Sequence, residues 1–135
     1  MKDSFKFIFP GNPKYVPAIR MAVGSACENF GFDMEEIEDI KAALSEGWKS
    51  VSCHGMDGFA EECTALVDFD EGRVEIFISD TGTAHCVEKE KKPCIDCPRE
   101  GDIGFFFIKT LMDQVEIVRE EGKNSIKMLK ERKNR

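Results

Sequence analysis

The sequence predicts an α+β fold, a two-layer sandwich in which helices pack on one face of a mixed, mostly antiparallel sheet. Three observations predict it. Short segments near both ends of the chain and in its middle alternate apolar and polar residues, which is the spacing of strands. Two longer segments repeat apolar residues every three or four positions, which is the spacing of helices. Short turns join strand segments in pairs, which favours antiparallel neighbours.

The first quarter of the chain predicts a strand followed by a helix. Phenylalanines alternate with other residues over positions 5–9, and Pro10-Gly11 ends this strand. Residues 13–30 have the apolar spacing of a helix. Gly31 suits the C-terminal cap of that helix because glycine accepts a left-handed backbone at little cost.

A second helix is predicted to begin after Asp33, which is a good N-cap, and to end near residues 54–55. Acidic residues in its first turns suit the positive end of the helix dipole. Its apolar stripe, which we expect to be buried, consists of Ile37, Ile40, Leu44, Trp48 and Val51.

The remaining elements follow from the same patterns. They are, in order, strands at 64–69 and 73–79, a polar lid at about 81–101, a helix at 103–113, and strands at 114–119 and 125–129. Asp70-Glu71-Gly72 predicts a hairpin turn between the first two of these strands. The basic tail, residues 127–135, is interpreted as a solvated extension.

Composition limits the classes of function. The chain has 135 residues, of which 41% are hydrophobic and 33% charged, so we expect one globular domain over residues 1–135. The net charge of −7 argues against nucleic acid as a partner, since phosphate-backbone binders are usually basic. No apolar segment approaches the ~20 residues that span a membrane, and the N-terminus does not resemble a signal peptide. We therefore expect a cytoplasmic protein whose cysteines are reduced.

Three segments could carry chemistry, and the first lies on the second helix. Glu46, Ser50 and His54 are spaced four residues apart and form one row. Facing a cleft, the carboxylate could take a proton from an attacking hydroxyl, and the serine oxygen could ligate a metal. An ordinary solvent-facing helix side has the same spacing, and on spacing alone it is the better explanation.

The second segment, residues 80–84, follows a predicted strand directly. The Asp80 carboxylate could accept a hydrogen bond from a flat ligand such as adenine, and Gly82 would let the backbone approach that ligand. A simple Asp-x-Gly turn explains the same residues at least as well.

The third segment, residues 101–104, opens the last predicted helix. Gly101 and Gly104 could expose backbone amides to phosphate oxygens, helped by the helix dipole. A lid hinge capped by Asp102 is the alternative explanation.

In this order and at these spacings, the three segments together resemble the anti-sigma-factor serine kinases, which share an ATPase superfamily with gyrase and histidine kinases. The matching stretches are residues 37–46 with Ser50 and His54, residues 78–82, and residues 99–113. The similarity extends from the first strand to the last. It implies a histidine-kinase-like ATPase fold, with ATP held between helix and lid.

The resemblance also implies roles for individual residues. Glu46 would be the general base, Asp80 would bind the adenine amino group, and Ser125 roughly matches a family threonine near the adenine. The residues implied in cofactor binding are Asp80, Gly82, Gly101, Gly104, Ser50 and Ser125. Proteins of this family bind a sigma factor, phosphorylate a serine on an anti-anti-sigma partner and commonly form homodimers. The implied cofactors are ATP or ADP, with Mg²⁺.

Three departures from the family pattern fall in this site. Ser50 stands where the family has a magnesium-ligating asparagine, and Ala84 and Asp102 stand where it has glycines. All three changes weaken the phosphate and metal side, whereas Asp80 and Gly82 keep the adenine side. We therefore expect nucleotide binding more firmly than phosphoryl transfer. The alternative is a degenerate module that sequesters its partner without kinase activity.

The predicted lid contains three cysteines, Cys86, Cys94 and Cys97, next to His85. Four such ligands are the number that a structural zinc needs, but adjacent His85 and Cys86 make a poor second pair beside the C-x-x-C. A redox switch is another interpretation, and incidental thiols are favoured over both. The other cysteines, Cys27, Cys53 and Cys63, are interpreted as core residues.

Overall fold

The structure is a computed structural model that describes residues 2–52, 59–80, 103–120 and 123–133. Within those ranges the chain forms a five-stranded sheet with spatial order β1-β2-β3-β5-β4. The strands are β1 (Lys2–Phe9), β2 (Cys63–Asp70), β3 (Arg73–Asp80), β4 (Gln114–Glu120) and β5 (Lys123–Glu131). Every pairing between them is antiparallel, whereas the sequence predicts a mixed, mostly antiparallel sheet.

The hairpin between β2 and β3 turns as the sequence predicts. Glu71 and Gly72 have φ angles of 38° and 81°, so both central residues are left-handed. Two left-handed central residues match the right-handed twist of the flanking strands. The register that follows pairs Asp70 with Arg73 and Cys63 with Asp80.

The helices pack on one face of the sheet. A 3₁₀ turn at Pro13–Tyr15 leads into α1 (Val16–Asn29), which is followed by α2 (Met34–Ser52) and α3 (Ile103–Leu111). Gly31 has φ 85° between α1 and α2, as expected of a residue that ends a helix. No helix in the described ranges is long and apolar enough to cross a membrane.

The start of α2 is fixed by a reciprocal cap. Glu36 N donates to Asp33 Oδ1 at 2.8 Å, and Asp33 N donates to Glu36 Oε1 at 2.9 Å. This capping box satisfies two backbone donors that a helix start leaves unpaired. Glu36 is 1% exposed, so its carboxylate is a buried part of the fold rather than a surface acid.

Gly47 lets α2 lie close to the sheet. A Cβ on this residue would stand 3.2 Å from Met128 Cε, 3.3 Å from Ile78 Cδ1 and 3.4 Å from Ile126 Cγ2. The core extends on both sides of Gly47 through fully buried side chains. Ile40, Leu44 and Trp48 belong to the predicted apolar stripe of α2, and Phe69 comes from β2.

A chain of hydrogen bonds fixes the far end of α2. Trp48 Nε1 donates to the Gly11 carbonyl at 3.0 Å, Gly11 N donates to Ala60 O at 3.0 Å, and Ala60 N donates to Ser52 O at 2.7 Å. A Cβ on Gly11 would lie 2.3 Å from Ala60 O, so this position requires glycine. The second half of α2 is therefore held firmly beside the end of β1.

The basic tail is not the solvated extension that the sequence suggested. Lys130 is 7% exposed, and Nζ donates to Leu111 O and lies 3.7 Å from Asp39 Oδ2. Arg132 Nη1 donates to Phe30 O at 2.7 Å. The tail instead joins all three described helices to the sheet.

Candidate functional site

The start of α2 lies at the start of β3. The Lys133 backbone N donates to Glu36 Oε2 at 2.7 Å, near the beginning of the helix. The neighbouring residue, Arg132, donates from its backbone N to Gly72 O at 2.6 Å, in the turn just before β3. Two adjacent residues of the tail therefore hold these two starting points together.

From there α2 and β3 run in the same direction. Gly47 packs against Ile78, well along both elements. Ser50 lies about 4.5 Å further along the helix axis, at 1.5 Å per residue. Asp80 lies about 6.6 Å further along the strand, at 3.3 Å per residue. The last turns of α2 and the end of β3 therefore meet at one end of the sheet.

The N-terminus of α3 points toward that same end. The C-terminal residue of α3, Leu111, accepts the hydrogen bond from Lys130. Lys130 pairs with Val74, near the start of β3, so α3 ends at the opposite end of the sheet. Its first residue, Ile103, lies eight residues before that contact, about 12 Å away along the helix axis. Of the three segments singled out in the sequence, the structure describes Glu46 and Ser50, Asp80, and the first residues of α3.

Asp80 is the last residue of β3, and the family resemblance predicts that it binds adenine. It follows Ile78 by two residues, so it shares the helix-packed face of β3. It is 3% exposed, in a position where a carboxylate can accept a hydrogen bond from a ligand lying between sheet and helices.

Ser125 lies on the other face of the sheet. Its cross-strand partner is Ser79, whereas Ile126, the next residue, packs on the helix side against Gly47. Its hydroxyl donates to Val118 O at 3.3 Å. Because neighbouring residues of a strand point to opposite faces, a ligand beside Asp80 does not meet the Ser125 hydroxyl.

The polar row of α2 is not a uniform solvent-facing side. The Glu46 side chain is 28% exposed, whereas Ser50 is 4% exposed. Lys49 was missed in the sequence, because the row was traced at four-residue steps and Lys49 follows Glu46 by three. Its Nζ lies 3.8 Å from Glu46 Oε2, and its side chain is 37% exposed.

The described residues offer few ligands to a magnesium ion. Mg²⁺ prefers octahedral oxygen ligands, usually one or two carboxylates together with substrate phosphates. The family ligand position carries Ser50, whose single neutral oxygen is buried. The nearby carboxylate, Glu46, already faces an ammonium group. No cluster of three or more His, Cys, Asp or Glu in the described part of the chain could hold a metal.

Several predicted residues lie outside the described residues: His54, Gly82, Ala84, Cys86, Cys94, Cys97, Gly101 and Asp102. The lid as a whole, and its zinc or redox interpretation, therefore stay predictions that metal analysis of the purified protein would test. Gly104 is the second residue of α3.

The cysteines inside the described ranges behave as core residues. Cys27 and Cys63 are both 0% exposed, as the sequence predicted for them, whereas Cys53 lies outside those ranges. Burial raises the pKa of the Cys27 thiol to about 12. Because only a thiolate is a good nucleophile or metal ligand, Cys27 is chemically inert near neutral pH.

Comparison with known proteins supports the family that the sequence motifs resemble. Residues 9–130 match the family model described as the histidine kinase-like ATPase domain. The serine-protein kinase RsbW of Listeria innocua is 31% identical over 131 residues, covering 90% of this chain and 83% of the relative. The protein of the same name from Bacillus cereus is 30% identical over 129 residues, covering 89% and 80%.

A solved structure supports the fold. It contains the RsbU and RsbW domains of a Mycobacterium tuberculosis protein, and it superposes with a TM-score of 0.69 at 14% identity. The match covers 96% of this chain and 32% of that chain, so the present protein spans about a third of it. The family match and the two relatives show that the chain belongs to the histidine kinase-like ATPase domain family and, within it, to the anti-sigma-factor serine kinases that its motifs resemble.

Proposed function

We propose that this protein binds ATP at the end of the sheet where α2, β3 and α3 meet, and phosphorylates a serine on a protein partner. The observation that carries the proposal is the convergence of Asp80, Glu46 and the α3 N-terminus at that end. Each of these features is common in folded proteins. Their position toward one end of the sheet, in a chain of this family, favours a nucleotide site.

Asp80 supplies recognition of the base in this proposal. Adenine presents an amino group, which is a hydrogen-bond donor, and a carboxylate is acceptor-only when ionised. The carboxylate is buried on the helix side of the sheet, where water competes little for the contact. Ser125 is left out of the site because it lies on the opposite face.

The phosphate end is assigned to α3 and the segment before it. The first backbone amides of a helix lack partners within the helix, and the helix dipole favours an anion there. Gly104, and Gly101 with Gly82 in the preceding chain, would allow close approach of a triphosphate. The proposed lid at 81–101 would cover the nucleotide.

Glu46 acts as the general base of the phosphoryl transfer in this proposal. Its carboxylate would accept the proton of the partner's serine hydroxyl while the serine oxygen bonds to the γ-phosphorus. The bond from that phosphorus to the β–γ bridging oxygen breaks, and ADP leaves. At 28% exposure the Glu46 side chain is accessible to a hydroxyl that enters from solvent.

A second candidate function is sequestration of a protein partner without chemistry. The ion pair between Lys49 and Glu46 favours it, because the ammonium lies 3.8 Å from Glu46 Oε2, on the carboxylate that would have to contact the serine hydroxyl. In this case the protein binds its partner, with nucleotide as a structural ligand or without it.

For partners we propose a sigma factor and an anti-anti-sigma protein, as the family implies, with action in the cytoplasm. We also propose a homodimer formed through the sheet face turned away from α1 and α2. That face exposes Ile8 at 54% and Leu66 at 38%. Exposed apolar side chains on a sheet face are typical of a contact surface.

A phosphoryl-transfer assay tests the proposal. Purified protein is incubated with γ-labelled ATP and a candidate anti-anti-sigma protein that carries the acceptor serine. We expect label on the partner, and a loss of about 100-fold or more in rate for Glu46→Gln, since that variant removes the proton acceptor.

Glu38→Gln is the matched control, because Glu38 forms the same kind of ion pair with Lys41 about two turns earlier on α2. It should transfer label at the wild-type rate. If wild-type protein binds ATP and its partner but labels nothing, the sequestering function is favoured. If Glu46→Gln labels as fast as wild type, Glu46 is not the base.

A further inference from the structure

A buried ammonium links two of the helices that flank the proposed nucleotide site. We propose that Lys130 is a positioning residue: its ammonium ties the C-terminal end of α3 to α2 and so keeps α3 where nucleotide binding requires it. The inference rests on the proposed nucleotide site and adds to it a residue that acts through α3 rather than by touching the nucleotide.

Lys130 lies on the face of the sheet that the helices cover. Its cross-strand partner is Val74, which is fully buried, and Lys130 itself is 7% exposed. Its Nζ donates to the carbonyl oxygen of Leu111, the last residue of α3, and lies 3.7 Å from Asp39 Oδ2 on α2. One side chain therefore connects β5 with both α2 and α3.

The contact with Leu111 suits the end of a helix. The last carbonyl groups of a helix have no partner within it, and the helix dipole favours a cation there. Because α3 has only nine residues, its place depends on tertiary contacts. Just beyond α3, Asp113 N donates to Leu129 O at 2.8 Å, and Asp113 Oδ2 accepts from Glu131 N at 2.6 Å. The C-terminal end of α3 is thus fixed to β5, and Lys130 extends the connection to α2.

A buried ammonium specifies position more than it adds stability. The buried side chains of Ile108 and Met112 supply apolar packing for α3, but apolar packing is non-directional. A hydrogen bond to one carbonyl oxygen, in contrast, needs a defined distance and angle. Taking an ammonium out of water is costly, and apolar side chains in place of buried ions often leave a protein equally stable. The Lys130 contact is therefore better suited to placing α3 than to stabilising the fold.

Distances along the two helices relate this contact to the proposed site. Asp39 and Glu46 are seven residues apart, which places them on the same side of α2 and about 10.5 Å apart along its axis. Ile103, the first residue of α3, lies about 12 Å from Leu111 along that helix. The Lys130 contact therefore helps to set where the proposed base and the start of α3 lie relative to each other. A misplacement of about 1 Å, even one caused far from the chemistry, can cost on the order of 100-fold in rate.

Lys127 provides a matched control on the same strand. Its Nζ lies 3.8 Å from Glu75 Oε2, almost the distance of the pair between Lys130 and Asp39. Because it precedes Lys130 by three residues, it points to the face turned away from the helices, where its side chain is 48% exposed. The same substitution at either lysine removes one ion pair, but only the pair at Lys130 lies between α2 and α3.

The test is calorimetric titration of ATP into the full chain, after thermal melting has shown that each variant is folded. Lys130→Met keeps an unbranched side chain but removes the charge, so it should melt within about 5 °C of the wild type. Its Kd for ATP should nevertheless rise about tenfold, because α3 is no longer held in place. Lys127→Met should bind ATP like the wild type. A residue that only stabilises the fold would lower the melting temperature and leave the Kd of the folded protein unchanged.

Asp39→Asn tests the connection to α2 from its other end. The Asp39 side chain is 29% exposed, so this variant should fold, and its Kd for ATP should rise by about threefold because the ammonium keeps its bond to α3. In the double variant the Kd should equal that of Lys130→Met alone, since both side chains act through one contact. Two effects that simply multiply would contradict a link from α2 to α3 through Lys130.

The outcomes separate this inference from the proposed function. A folded Lys130→Met variant with the Kd of the wild type overturns the inference and leaves the nucleotide site intact, and so does an equal loss of affinity in Lys127→Met. If Lys130→Met does not fold, Asp39→Asn decides: the predicted loss supports the inference, and wild-type affinity overturns it. If the wild type does not bind ATP, the proposed function itself fails, and the inference fails with it.

Discussion

Arg132 donates a hydrogen bond from Nη1 to the carbonyl oxygen of Phe30 at 2.7 Å, across 102 positions of sequence. The guanidinium lies between two left-handed glycines, Gly31 and Gly72. A Cβ on Gly31 would stand 2.5 Å from Nη1, so the absence of a side chain there makes room for the arginine. One side chain therefore joins the turn after α1 to the hairpin that begins β3, and this helps to align α2 with β3.

The first prediction concerns this contact. Arg132→Ala should lower the free energy of unfolding by about 1–3 kcal/mol, because a charged hydrogen bond to a carbonyl with no described alternative donor is lost. Urea unfolding followed by circular dichroism measures it. Lys133→Ala is the control: its bond to Glu36 comes from the backbone and its side chain is 61% exposed, so its stability should match the wild type. Equal stability of both variants would contradict the structural role of Arg132.

The second prediction concerns Asp80. Asp80→Asn keeps the size of the side chain but replaces an ionised acceptor by a neutral amide, so ATP should bind about ten- to a hundredfold more weakly. Ser79→Ala is a neighbouring control on the other face of β3, and it should leave the Kd unchanged. Calorimetry with ATP measures both. An Asp80→Asn variant that is folded and binds ATP like the wild type would remove Asp80 from the site.

The third prediction concerns Ser50. Ser50→Asn restores an amide oxygen at the metal-ligand position, and ATP binding should become about tenfold tighter in MgCl₂ than in EDTA. Because Ser50 is buried, the larger side chain should also cost about 1–3 kcal/mol of stability. Ser50→Ala serves as the control and should show no dependence on magnesium. If the Ser50→Asn variant binds ATP equally in both buffers, the serine at this position does not explain a weakened magnesium site.

The fourth prediction concerns the proposed dimer face. Leu66→Glu adds a charge to the exposed sheet face, which should shift the protein from dimer to monomer in sedimentation velocity. Met34→Glu is the control, since Met34 is 80% exposed at the start of α2. It should sediment like the wild type. A wild-type protein that is monomeric at the highest soluble concentration would rule the dimer out.

Much of this fold could be predicted from local patterns. The Asp33 cap, the Glu71-Gly72 turn and the position of Gly31 depend on residues close in sequence, and the structure confirms each of them. It also confirms the buried stripe of α2, except that Ile37 is only partly buried. The meeting of α2, β3 and α3 at one end could be inferred only through the family resemblance, because it depends on contacts between distant segments.

Long-range contacts also explain what the sequence did not predict. From the sequence, Lys130 and Arg132 belong to a solvated basic tail, because their hydrogen-bond partners, Leu111 and Phe30, are distant in sequence. The family resemblance predicts that Ser125 lies near the adenine. A shift of one residue in a strand moves a side chain to the other face, and the sequence does not fix the register of β5 so finely. A row of four-residue steps from Glu46 does not include Lys49, which follows Glu46 by three residues and forms an ion pair with it.

The central claim is an adenine-specific nucleotide site at the Asp80 end of the sheet. The most direct test titrates ATP and GTP separately into the wild-type protein by calorimetry. The account predicts one ATP per chain and GTP binding at least about tenfold weaker, because guanine presents a carbonyl oxygen where adenine presents an amino group. No heat of binding with ATP, or equal affinity for ATP and GTP, would contradict it.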